Sequence, residues 1–76
     1  MSDRILRKTL YRVLRKTGVP RNNIELTASF SDDLNFDHID WAIFLYHMEV
    51  HFNIALDENQ VAGLAKIEDS LRLLQD

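Results

Sequence analysis

Residues 38–52, HIDWAIFLYHMEVHF, run for fifteen positions without glycine or proline, and their side chains decide what the rest of the chain must supply. At about 100° per residue a helix divides the apolar members into two stripes on opposite sides. One gathers Trp41, Phe44, Leu45, Met48 and Phe52, and the other Ile39, Ile43, Tyr46 and Val50. Two polar seams separate them, with His38, Ala42 and Glu49 along one edge and Asp40, His47 and His51 along the other. A helix in a small bundle turns one face inward, so one stripe is core and the other needs separate cover. Two outcomes are open: the helix is sandwiched between its neighbours and both stripes are buried, or the second stripe is an exposed patch of the size that marks a partner surface.

The flanking segments predict a compact all-α arrangement. Across residues 3–17, Leu6, Leu10, Val13 and Leu14 recur at i, i+4, i+7 and i+8, the spacing of an amphipathic helix whose bases lie opposite. Gly18 suits a left-handed cap, and Pro20 prevents continuation. A long connection follows over residues 18–37, and Ile24, Leu26, Phe30 and Leu34 are its candidate anchors on the core. Asp37 is placed to cap the central helix, and Asp57 to cap a short helix beginning at ENQV. Ile67, Leu71 and Leu74 predict a last helix over residues 67–74, although Ala65 and Lys66 offer it no good capping side chain. The expectation is a small four-helix bundle of three longer helices and one short one, forming a single domain over residues 1–76 with modest stability.

Composition removes several kinds of chemistry. Without cysteine there is no disulfide, thiolate metal site or thiol nucleophile, and two glycines cannot build a phosphate-cradling loop. Ser29, Ser31 and Ser70 lack recognisable histidine and acid partners, so no catalytic residue and no enzymatic activity are expected. His47 and His51 stand one turn apart, about 6 Å along a helix, but Asp40 is roughly 10 Å away, which leaves the pair a weak metal candidate without a third ligand. Charge is segregated. Residues 1–21 hold seven of the nine Lys and Arg and one acid, giving +6; residues 22–76 hold eleven acids and two bases, giving −9. The basic segment reads as a solvated helix face or as a docking face for an acidic protein, nucleic acid or anionic membrane. Nucleic acid is not expected, since stacking aromatics do not alternate with the bases. The opening MSDRILRKTLYRV lacks the apolar core of a signal peptide, and no run approaches the about 18 apolar residues of a membrane span, so a cytoplasmic protein is expected.

From Thr27 to Leu74 the pieces ASFSDDLNFDHID, MEVHFNI and LDENQVAGLAKIEDSLRLL together resemble an acyl carrier protein. The likeness implies that family's four-helix bundle, with the basic N-terminal helix in the place of its first. It also implies that Asp37-His38-Ile39 stands where the family has Asp-Ser-Leu, whose serine holds 4′-phosphopantetheine through a phosphodiester. Imidazole cannot form that bond, so His38, with Asp37 beside it, marks the attachment position and no cofactor is expected. The family's recognition helix mixes acids with apolar residues on its outward side. The matching positions here are Ile39, Ile43, Tyr46 and Val50, with Asp33 and Asp40 keeping acidic character nearby.

These six are the expected partner-binding residues, and the expected partner is a fatty-acid, polyketide or lipid-modifying enzyme, or a true carrier. A homodimer is also open. Two further readings stand beside this one. The chain is a genuine carrier modified by an unusual route or represented by an altered form, or it is an accessory subunit that binds an acyl chain or metal reversibly with His38 at a cavity mouth.

Overall fold

A computed structural model describes residues 2–75. Four helices follow in order: α1 (Asp3–Thr17), α2 (His38–Phe52), α3 (Glu58–Ala62) and α4 (Ile67–Gln75), with one 3₁₀ turn at Arg21–Asn23 in the long connection. The three longer helices and one short helix are those the sequence predicts, and none is long and apolar enough to cross a membrane.

Local chemistry sets the helix ends. The Ser2 hydroxyl accepts from the Ile5 backbone N–H at 3.3 Å and starts α1. Gly18 closes it at φ 109°, in the region that favours a residue without Cβ, and donates to the carbonyls of Leu14 and Arg15. Asp57 and Gln60 form a reciprocal capping box at α3. α4 starts differently. Its missing N-terminal cap is supplied from inside the helix, where one Asp69 carboxylate oxygen accepts from the N–H groups of Ala65 at 3.0 Å and Lys66 at 2.8 Å. A carboxylate one turn downstream satisfies donors that the helix itself leaves open.

Leu6, Leu10, Val13 and Leu14 of α1 pack with Phe44 and Met48 of α2 and Ile67 and Leu71 of α4 in the core. The long connection is fastened along two routes. Phe30 is buried as expected, and Ile24 and Leu34 are half-buried against the core. Leu26, expected as a fourth anchor, instead leaves its side chain exposed. Its carbonyl does the fastening by accepting from Glu68 N–H at 2.9 Å, beside Phe30 N–H to Ala65 O and Ile67 N–H to Ala28 O, both at 3.0 Å. This short antiparallel pairing of the connection with the approach to α4 buries Ala28 as well.

Candidate functional site

The head of α2 is held by two sets of contacts. On the helix side, one Asp37 carboxylate oxygen accepts from Ile39 N–H at 3.0 Å and Asp40 N–H at 2.9 Å, while Asp40 accepts in return from Asp37 N–H at 3.2 Å. This reciprocal box satisfies donors that a helix start would otherwise leave unpaired. Behind it, Phe30, Phe36, Trp41 and Phe44 all touch one another, with ring centroids 4.8 to 5.9 Å apart in tilted and edge-on arrangements. Phe36 immediately precedes the cap, and its N–H donates to Phe30 O at 2.9 Å. The cluster therefore fixes where the chain enters the helix.

The loop before it is closed by Asp33, whose carboxylate accepts from Ser29 N–H at 2.7 Å, and by Asn35 in the left-handed region at φ 54°. His38 follows the cap as the first residue of α2 and is exposed. Of the acids expected near a partner, Asp33 is exposed, whereas Asp40 is half-buried by its capping role.

The hydrogen bond from the Asp40 backbone is the main reason the Asp37 carboxyl lies below the ordinary aspartate range; desolvation opposes it, and a lesser bond from the Ile39 backbone helps. Asp69 is lowered in the same way, first by Lys66 N–H and then by Ala65 N–H. A carboxylate depressed in the folded state stabilises it above the unfolded pKa and loses that contribution as pH falls through the folded value. Stability should therefore decline below about pH 4, the ordinary Asp value. Asn also caps helices well without titrating, so Asp37→Asn should keep most of the neutral-pH stability and flatten the acid decline. Urea midpoints measured across the acid range, followed by circular dichroism, check this; an unchanged acid slope would remove Asp37 as a contributor.

The two stripes of α2 have different fates. Phe44 and Met48 are fully buried, and Trp41, Leu45 and Phe52 pack against the core. Ile39, Ile43, Tyr46 and Val50 remain 57%, 38%, 62% and 56% exposed, so the arrangement that buries both stripes is not the one formed. They make an apolar ridge running from the His38 end of the helix. On one flank the Tyr46 ring lies 5.4 Å from His47, and His47 lies 5.7 Å from His51. Partial desolvation, followed by the charges of Lys16, His47 and Arg12, pushes the His51 pKa below the ordinary histidine value. Among the described residues no cluster of three or more His, Asp or Glu comes together as a metal site.

Two apolar depressions flank the helices. An apolar groove of about 190 Å³ lies between α1, the connection and α4, with Leu10, Leu26 and Leu71 in its walls. A second, of about 430 Å³, lies between α2 and α3, with Leu45, Leu56 and Val61 in its walls.

No known family model matches the chain. Curated proteins do. The acyl carrier protein of Kocuria rhizophila is 26% identical over 74 residues, 97% of this chain and 91% of its own length. That of Beutenbergia cavernae is 27% identical over 59 residues, covering 78% and 72%. That of Nitratidesulfovibrio vulgaris is 25% identical over 64 residues, 84% of each. The chain is acyl-carrier-protein-like.

Within an acyl-carrier-protein-like frame, the head of α2 is where the sequence resemblance places 4′-phosphopantetheine, and the side chains can be tested against that group. A phosphodiester needs an alcohol oxygen. Position 38 presents an imidazole, and the loop hydroxyl of Ser29 accepts from Asp32 N–H at 3.1 Å and lies 3.4 Å from that of Ser31, within the loop's own hydrogen bonding. The residues at the helix head do not fit the group. Sequence reasoning named the cap and the ridge but missed Phe36 and Asp69. The spacing of Phe36 one residue before a capping Asp, a hydrophobic residue at the helix entrance, was the available signal for the first.

Proposed function

We propose that this acyl-carrier-protein-like chain does not carry 4′-phosphopantetheine at position 38 and works as a non-enzymatic interaction module in fatty-acid, polyketide or lipid metabolism, binding an enzyme of that chemistry through the outer face of α2. The observation that carries the reading is the exposure of Ile39, Ile43, Tyr46 and Val50 on the side of α2 opposite its core face. A row of apolar side chains at helical spacing suits a groove on a partner, where burial of the row supplies affinity. The names of the relatives support the metabolic setting.

Replacing both Ile43 and Tyr46 with Glu tests the ridge. Two exposed positions change, so helix content by circular dichroism should stay as in the parent. Immobilised parent protein should retain an enzyme of acyl-chain metabolism, identified by mass spectrometry, and the double variant should lose it by at least about a hundredfold in affinity if both side chains are central anchors worth roughly 2 kcal/mol each. Equal retention by the two proteins would remove the ridge from the function. The relatives' names also favour a second reading, a working carrier in which histidine stands for serine. The two diverge on whether the chain accepts the prosthetic group.

A further inference from the structure

The outward side of α1 carries a pattern that the ridge does not explain. Arg4, Lys8, Arg12 and Lys16 are spaced at i, i+4, i+8 and i+12, all four are exposed, and among the described residues none takes part in an ion pair. Among the described residues the only paired cation of α1 is Arg7, bound to Asp3 at 3.0 Å. Like charges at i, i+4 repel along a helix, and no acid among the described residues forms an ion pair with this row. At about 100° per residue each step of four advances the row by about 40° around the helix, over a length of about 18 Å.

The end of the row meets α2. α1 packs against α2, the charges of Lys16 and Arg12 help lower the His51 pKa, His51 neighbours His47, and His47 lies beside Tyr46 of the ridge. His47 and His51 thus border one flank of the apolar ridge, on a helix packed against the one that carries the cationic row. The opposite flank carries the exposed acid Glu49.

We propose that the Arg4–Lys8–Arg12–Lys16 row, continued by His51 and His47, docks an acidic helical segment of the protein partner that covers the ridge. This rests on the reading of the α2 ridge as an interaction face and adds the charge of what lies beside it. A partner helix with carboxylates on one row and apolar residues on the next matches the two adjoining strips. A flat anionic lipid surface matches them less well: the apolar face of α1 is spent in the core, and Glu49 would face the headgroups. A polynucleotide would meet −9 on residues 22–76.

The test uses the whole protein and four probes: a synthetic helix with Glu at i, i+4 and i+8 beside a row of Leu, polyglutamate, vesicles containing phosphatidylserine, and a single-stranded oligodeoxynucleotide. NMR of the His47 and His51 rings and titration by fluorescence anisotropy or flotation read the binding. The acidic helix should bind best, with ring shifts at both histidines and an affinity that falls about tenfold as ionic strength is raised from about 0.01 M to 0.15 M. Arg12→Glu with Lys16→Glu should abolish the salt-dependent part, and Lys66→Glu should leave it intact. Ile43→Glu with Tyr46→Glu should weaken the Leu-bearing helix but keep the salt-dependent response to polyglutamate, which separates failure of the ridge from failure of the row. Undiminished binding by the Arg12, Lys16 variant, or preference for vesicles or the oligonucleotide, overturns the proposal.

Discussion

Phe30→Ala should remove a large share of the folding free energy at 25 °C. Phe30 is 1% exposed and touches Phe36, Trp41 and Phe44, so truncation removes its transfer free energy and leaves a void between the connection and α2. Phe→Ala in a core costs about 3–5 kcal/mol, while a chain of this length is stable by roughly 4–11 kcal/mol. The loss is comparable with the total. Equilibrium urea denaturation by circular dichroism measures it, with Tyr46→Ala as the comparator at an exposed site, expected within about 0.5 kcal/mol of the parent. A cost at Phe30 no larger than at Tyr46 would show that the cluster is not a structural centre. The expected damage is more than thermodynamic, because the same ring sits behind Phe36 and so behind the entrance to α2.

His38→Ser should create an acceptor for 4′-phosphopantetheine at the head of α2. With coenzyme A and a broad-specificity phosphopantetheinyl transferase, the parent should keep its mass and the variant should gain one phosphopantetheine group. The reasoning is chemical before it is structural. The seryl oxygen, giving up its proton, can attack the pantetheine-bearing phosphorus of coenzyme A and break the pyrophosphate bond, releasing adenosine 3′,5′-bisphosphate and becoming the bridging oxygen of a phosphodiester, whereas the imidazole nitrogen has no phosphodiester product. The neighbourhood needs no repair, since Asp37 already caps the helix and position 38 is already exposed. Gain of mass by the parent would overturn the non-carrier reading and favour the second one. Absence of gain by a folded His38→Ser variant would place the obstacle in the ridge or the loop instead.

What the sequence made legible was local. Asp37, Asp57 and Gly18 end or begin helices through atoms within a few residues, and the α2 stripes follow from a single repeat length. What escaped it was mostly pairing over distance or against the chain direction. Leu26 has an anchor's side chain, yet its carbonyl holds Glu68 while the side chain stays exposed, and nothing nearby in sequence signals a bond across more than forty residues. Asp69 caps backwards from the third position of the element it starts, so a search for a capping residue ahead of Ile67 passes it by. At the candidate site, His38 and the ridge were readable from position and periodicity. Which of the two stripes would be covered depended on where α1 packs, a question of three-dimensional arrangement that the spacing leaves open.

Trp41, the chain's only tryptophan, is half-buried with its ring 4.8 Å from Phe30 and 5.3 Å from Phe36. Its indole therefore rests where the loop, the helix entrance and the interior meet. Intrinsic emission from this one chromophore is a label-free gauge of whether the loop is seated, and a partner that lifts or presses it announces itself by a change in colour or intensity.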